Sequence, residues 1–577
     1  MSNKNMGEAE KNVGGAKNPN MAVNLARLGG SFILYAMVTL VFFWALLPHV
    51  DSALLGPPED NLQDLWNSWY AAAGYLKGLS FFFTDLIKFP EGTTLYYHSF
   101  AYPQVFLVWL GTKLIGTSLS ALLLLQNLVI LLSFPLAGTG AFALAYYSTR
   151  NMWGALLGGF VFAFNPSHLE HSMHHLHVAS IGFIPFFVLC YLLALEKRSI
   201  VWLTVAIMFY ALSALSCWYY LFYCGYFVAF HTVYLWVRNR ALLRGWTLYA
   251  PFATMGGVLI VLSPWLIPMV REAVSGANVY EGGSDIFVAD ILAYVTFPPH
   301  HVFAALTEPV YRHFGPPWAG NWEFTVYLGI PVIGLFAWLL VNRHSSDRET
   351  VVYLAFAIAV FAALASGSHL HFLGHPVLPM PDLVLSHIPF FRNVRTPSRA
   401  IVFVYLFLAM AVSLAIQLLA RRNDKNPWVK RIAITGIFIL IIADFYPARL
   451  DLTTFSCSPG LAIVRDDPEQ GFGVLNLPSG YVSGNADMAE QICHERPIVR
   501  GNTAREIART LQNFLVTDDL QTQRRQLLNN RVKYIVLRRV ENNIYDWGDD
   551  KDGVRDSYLK TYQPVYADAE LIILRIY

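Results

Sequence analysis

Long apolar runs separated by short polar segments dominate this chain. Runs that read as membrane-spanning helices lie at roughly 31–50, 119–147, 153–165, 177–195, 199–215, 218–237, 247–270, 324–342, 350–366, 399–420 and 431–447. A helix needs about 20 apolar residues to cross the hydrocarbon layer, fewer when flanking groups snorkel. A further run, 101–116, is short and carries Lys113. Beyond residue 447 the pattern changes. GVLNLP and VKYIVLRR read as strands, TAREIARTLQNFLV (503–516) as a helix, and LIILRIY as a closing strand. Residues 1–30 are polar and read as a disordered tail on the cytoplasmic side, since the first stretch lacks the compact layout of a signal peptide.

Composition supports the membrane reading. The 577 residues are 55% hydrophobic and 14% charged, with mean hydropathy +0.42, whereas soluble domains carry about a quarter charged residues. Net charge is +2, which gives no basic footprint for a nucleic-acid partner. Basic residues fix the orientation. Arg150, Lys197, Arg198, Arg238, Arg244, Arg343, Arg421 and Arg422 all fall on the side of the N-terminus if 101–116 does not span. By the positive-inside rule that side is the cytoplasm. The segment 101–116 then reads as re-entrant or surface-lying. About eleven spans remain, in a transmembrane domain at 31–447, and a small α/β domain at 448–577 faces outward across the cytoplasmic membrane. The same orientation puts loops 51–118, 166–176, 271–323 and 367–398 outside. Cys190, Cys217 and Cys224 lie in apolar runs and read as packing residues. Cys457 and Cys493 lie in the outer region and could pair in an oxidising compartment.

Candidate chemistry gathers on that outer side. Glu59 and Asp60 follow a Pro-Pro at the mouth of the first span, ahead of an aromatic helix with Trp66 and Trp69. Acids favour a helix start through the macrodipole, and a partly shielded carboxylate can equally serve as a general base. The sequence IPFFRNVRTPSRA (388–400) places Arg392, Arg395 and Arg399 on the outer side, against the positive-inside bias. Guanidinium groups grip phosphate oxygens in bidentate fashion, so these arginines read as a phosphate site, with lipid-headgroup anchoring as the alternative. In FNPSHLEHSMHHLHVASIGFIPF (164–186) the residues His171, His174 and His175 could hold a metal. The spacing fits no standard zinc signature, and interfacial hydrogen-bonding histidines explain it better. His175 could also help hold an anionic ligand. Trp66 and Trp69, Tyr219 and Tyr220 near the outer end of a helix, and Glu323 in GNWEFTVYLG could line a substrate groove, although aromatic belts and helix caps account for such residues too. No Gly-rich phosphate loop is present.

These pieces together resemble a bacterial membrane glycosyltransferase of the GT-C fold. The resemblance rests on Asp60 in the first outer loop with the aromatic helix after it, on KFPEGTTLYYH (88–98), on the NWEFTVYLG and FFRNVRTPSR segments, and on ADMAEQICHERPIVRGNTAR (486–505). It covers most of the chain from residue 31. It implies a polyprenyl-phosphate-linked sugar as donor and a glycan, lipid or protein as acceptor, on the outer face of the membrane among its lipids. It makes Asp60 the acceptor-activating base, with Glu59 sharing or backing that task. Arg392, Arg395, Arg399 and His175 would hold the donor phosphate, and a divalent metal is an open requirement. A single displacement would invert the anomeric centre. Two other classes remain. A transporter would carry charge at mid-membrane or paired repeats, and the spans show neither. A non-catalytic subunit of a larger complex would keep the fold without the reaction.

Overall fold

The computed structural model describes residues 21–577 apart from 79, 239–243, 276–285, 317–320, 343–346, 389–390, 392–393, 422–426, 479, 505–509 and 540–550. Arg392 and part of the expected 503–516 helix therefore lie outside the described residues. The first helix, α1 (Met21–Phe42), begins ahead of the expected boundary, so residues 21–30 are helical and not part of a disordered tail.

Among the described residues, six helices are long and apolar enough to cross a membrane. They are Leu25–Phe42, α4 (Leu119–Thr149), Leu176–Lys197, α8 (Trp218–Arg238), α13 (Arg348–Ala365) and Pro397–Arg421, the last containing α14 (Ile401–Arg421). A seventh span exists if α9 (Trp246–Val261) and α10 (Ser263–Val274) are taken together, although they bend by 78°. The expectation of about eleven also counted shorter helices. At 1.5 Å per residue, α5 (Met152–Ala163) covers only ~18 Å, against ~30 Å of hydrocarbon. Helices α7 (Ile200–Ser216) and α12 (Ile330–Val341) are apolar but short. The ambiguous segment forms α3 (Tyr102–Ile115), fourteen residues, with Gly111 against Leu125 of α4.

Helix α14 is the hub. Every residue from Ile401 to Leu418 is buried. A helix apolar on all faces is one that other helices surround. It touches α5 most closely: a Cβ on Gly154 would lie 2.4 Å from the Ser413 carbonyl oxygen, and one on Gly158 would lie 2.6 Å from that of Ala409. Small residues at four-residue spacing let two backbones meet in this way. Helix α15 (Pro427–Phe445) packs beside α14 and α12.

The C-terminal part forms a four-stranded sheet in the order β5-β6-β8-β7. Here β5 is Gly473–Leu477, β6 Val532–Arg538, β7 Gln563–Ala567 and β8 Leu571–Arg575. β5 and β6 are parallel, and β8 is antiparallel to both its neighbours. β5 and β6 are buried along their whole length, as continuous apolar runs demand. Smaller two-stranded pairings lie in the segments between helices. β1 (Ala53–Leu55) pairs antiparallel with β4 (Leu452–Thr454), and β2 (His369–Phe372) forms a hairpin with β3 (His375–Pro379).

Candidate functional site

The β1–β4 pairing delivers the loop that follows α1 to its place. Asn127 reinforces it, its amide donating to the carbonyls of Val50 (2.8 Å) and Ala53 (2.7 Å). Gly56 follows with φ of +101°, and a Cβ there would collide with the Met173 carbonyl. Only glycine allows the chain to turn so close to the neighbouring helix. Asn61 then donates to the Leu55 carbonyl at 3.1 Å, and α2 (Asp60–Lys77) starts with Asp60 in its first turn. The second contribution is α6 (Pro166–His174). Asn165 caps it by accepting from the His168 amide at 2.8 Å, and Pro166 opens it. The third is a short 3-10 turn at Asn321–Phe324, which carries Glu323. The fourth is the Pro397–Ala400 turn ahead of α14, which carries Arg399.

His175 joins these segments. Its Nε2 donates to Asp60 Oδ2 at 2.8 Å, while its Nδ1 lies 3.9 Å from Glu323 Oε1. His171 Nε2 is 3.9 Å from Glu323 Oε2. Arg399 forms a bidentate pair with Glu323, its Nε 3.2 Å from Oε2, and its guanidinium stacks over the Tyr219 ring at 4.8 Å. Burial opposes the charge on Glu323, but Arg399, His171 and His175 outweigh it and hold the carboxyl down at about 2. Burial likewise opposes ionisation of Asp60. The His175 hydrogen bond and charge, the Asn485 amide and Arg399 prevail and keep it below the usual carboxylate range. Burial drives His171 well below the usual imidazole value, with Glu323 opposing.

His171, His175 and Glu323 also form a group that could hold a metal ion, with one ligand atom from each lying within 4.8 Å of the others. The Nδ1 atoms of both histidines are buried without a hydrogen-bond partner. The Asp60 hydrogen bond orients the His175 ring, with Nε2 on that carboxylate and Nδ1 turned toward Glu323. That is the carboxylate–histidine arrangement that orients metal ligands. The histidine set needs one correction. His174 turns away, stacks on Trp322 at 4.1 Å and points Nδ1 at Glu59 Oε2, 3.4 Å away.

Several expected roles change. Arg399 is buried and paired with Glu323, so its charge is already compensated. Arg395, described and half-buried, remains the phosphate candidate. Trp66 is fully buried, stacked on Tyr70 and donating to Gln491 at 2.7 Å, so it packs α2 against the C-terminal part and does not line a groove. Tyr220 is likewise buried, its hydroxyl donating to the Val178 carbonyl. Trp69 lines a cavity of about 230 Å³ together with the Cys457–Cys493 disulfide, Thr117 and Arg465, away from Asp60. Asp64, one turn along α2, accepts from the Leu176 amide at 2.9 Å, at the start of the Leu176–Ala179 helix. Burial lifts its carboxyl to about 8, with the Asp60 charge adding to the lift.

Two features were not anticipated. Asn485, on α16 (Tyr481–His494) of the C-terminal part, donates to Asp60 Oδ1 at 2.8 Å and ties that part to the site. Behind α6, His300 bridges two carboxylates. Nδ1 is 2.6 Å from Glu170 Oε1 and Nε2 is 3.0 Å from Asp451 Oδ2. Burial disfavours the imidazolium, yet Glu170 and Asp451 push His300 up to about 10. Asp451 also accepts the Gly56 amide on its backbone carbonyl at 2.7 Å, so this triad braces the loop that carries Asp60.

The family described as "Domain of unknown function (DUF6311)" matches residues 32–446, well over half of the chain. The chain belongs to that family. Curated protein sequences give no match. Among solved structures, the chain is similar to the Archaeoglobus fulgidus oligosaccharyltransferase tethered with an acceptor peptide containing the NVT sequon. The TM-score is 0.50 at 12% identity over 89% of this chain and 69% of that one. The apo form of the same oligosaccharyltransferase gives 0.50 at 13% identity over the same shares. At such identity the likeness is one of fold. This DUF6311 member thus shares its helical fold with that protein and carries a carboxylate–histidine–arginine cluster where four of its segments meet.

Proposed function

We propose that the protein is a membrane glycosyltransferase of the GT-C type, which moves a sugar from a polyprenyl-phosphate donor to an acceptor hydroxyl at the outer face of the membrane. One observation carries this reading: Asp60, half-buried, converges with the buried His175, Glu323 and Arg399 from three other segments in one cluster. The fold shared with an oligosaccharyltransferase that has been seen with an acceptor peptide supports it. The Cys457–Cys493 disulfide supports the sidedness, because such bonds persist in oxidising compartments. Since α16 bears both Cys493 and Asn485, the site would lie on the same outer side. Residues 448–577 would form the domain that covers it.

The chemistry follows from the charges. Asp60 stays ionised and would orient the acceptor hydroxyl and accept its proton as the oxygen attacks the anomeric carbon. The bond between that carbon and the phosphate oxygen breaks, the electron pair leaves with the phosphate, and configuration inverts. Arg395 would balance the charge growing on the leaving phosphate. Glu323 and Arg399, locked together, hold His175 and His171 in place. A divalent ion on His171, His175 and Glu323 would supply Lewis-acid charge, and a set of imidazole and carboxylate donors suits zinc or manganese. The test is Asp60→Asn in membranes given a radiolabelled polyprenyl-phosphate sugar. Transfer should fall by about 10²–10⁴, the usual contribution of a general base. Undiminished transfer at equal protein level overturns the assignment.

A further inference from the structure

The short helix α11 (Ala304–Tyr311) and the two residues before it belong to an outer loop. Their apolar side chains nevertheless face outward: Val302, Phe303 and Leu306 are 60%, 52% and 73% exposed. Isolated exposed apolar residues need no explanation, but three together on one short segment do. The segment's position supplies one. His301 forms a bridge with Pro447, and the Ala448 amide donates to the His300 carbonyl at 2.8 Å. The segment is thereby fixed just past the outer end of α15, whose own outward face shows Ile432, Ile439 and Leu440. The exposed apolar surface of the transmembrane bundle thus continues past the end of α15 onto α11.

The rest of the segment suits a boundary between oil and water. Glu308 on the helix and Arg312 at its C-cap form an exposed ion pair at 2.5 Å, polar groups of the kind that amphipathic interfacial helices present to headgroups. Phe297 stacks on His301 at 4.4 Å, with Tyr327 edge-on beside it, an aromatic set of the kind enriched at membrane surfaces. Thr307 Oγ1 donates to the Phe297 carbonyl at 3.1 Å, and Tyr311 is held by Thr325 at 2.7 Å. The helix is therefore pinned from its inner side, and among the described residues its apolar edge stays exposed.

The geometry points to α11 as a membrane foot: Val302, Phe303 and Leu306 insert into the outer-leaflet boundary between headgroups and acyl chains, with phospholipid as their partner. Interfacial helices bury their apolar face about 5–10 Å deep. His300 is two residues upstream, so bilayer contact would steady the Glu170–His300–Asp451 brace from outside.

The experiment uses the full chain in phospholipid nanodiscs, with a nitroxide on Leu306→Cys or, separately, on Phe303→Cys. Both positions are exposed, so substitution spares the core, and Cys190, Cys217 and Cys224 are buried. Ile439→Cys serves as the lipid-facing reference, and Gln563→Cys, on an exposed strand position, as the water-facing one. Collision rates with oxygen, which partitions into lipid, and with a water-soluble nickel chelate are compared. The foot requires an oxygen-to-nickel ratio matching Ile439→Cys and severalfold above Gln563→Cys at both labelled sites. A ratio equal to that of Gln563→Cys overturns it. So does protection from both reagents, which would mean that a protein partner or a second copy covers the edge.

Discussion

Replacing His300 by Gln removes a cation shared by two carboxylates, and the structure sets the size and the pH window of the effect. The ring is pushed up from 6.5 to about 10. At about 1.4 kcal/mol per tenfold change, that lift corresponds to a ceiling of roughly 5 kcal/mol. Asp451 is 40% exposed, and solvent screens that half of the interaction. The expected loss is therefore about 2–3 kcal/mol, a shift of a few degrees for a chain of this size. A group whose pKa rises on folding contributes fully below its unfolded value and loses that contribution as pH climbs through the folded one. The stabilisation should be complete below pH 6.5 and gone above about 10. Thermal unfolding of the purified protein in detergent across that range measures it. The wild-type melting temperature should fall relative to His300→Gln as pH rises, and the two curves should converge at the alkaline end. Glu170→Gln combined with His300→Gln should recover part of the loss, because no buried carboxylate is then left unpaired. A constant difference between wild type and His300→Gln at every pH would refute the reasoning.

Glu323→Gln leaves Arg399 buried without its counter-charge and should cost about 3–5 kcal/mol, whereas Glu323→Leu with Arg399→Met should come close to wild type; equal melting temperatures for the two variants would contradict the pairing. The Cys457–Cys493 bond closes a loop with a sequence separation of 36, worth roughly 4 kcal/mol by chain entropy. Mass spectrometry of alkylated protein from intact cells should find both cysteines blocked until reduction, and labelling without a reductant would place that region in a reducing compartment. Calorimetric titration of chelator-stripped protein with zinc or manganese should show binding that His171→Ala abolishes. Asp60→Asn, which releases the His175 ring, should weaken it by about 10–100-fold. Binding indifferent to both changes would move the ion elsewhere.

Much of the architecture could be read from the one-dimensional pattern. Charge-free apolar runs marked the long helices, and strand-like GVLNLP and VKYIVLRR reappear as β5 and β6. Short helices such as α5 were harder, since hydropathy does not tell a full crossing from a partial one. At the site, Asp60, His171, His175, Glu323 and Arg399 all stood out in the sequence as charged or ring-bearing groups in or beside the polar segments between apolar runs. Their pairing did not, because it depends on which segments fold onto each other. Arg399 looked like a phosphate ligand until Glu323, 76 positions away, was found beside it. Trp66 looked like a groove residue because amphipathic helices advertise aromatics whether they face a ligand or another helix. Asn485 gave no signal at all: a neutral amide in a polar tail becomes significant only once α16 lies against α2.

The meeting of Gly154 and Gly158 with the carbonyls of α14 has a consequence for how errors would travel. Helix α5 leads directly into the histidine segment, and the Arg399 turn leads directly into α14, so the two halves of the cluster hang from the same pair of touching backbones. A single methyl group added at Gly158 would wedge those backbones apart and shift the imidazoles and the guanidinium relative to each other, although none of them is near the change. The arrangement of the cluster can thus be disturbed from a buried helix contact that none of its side chains touches.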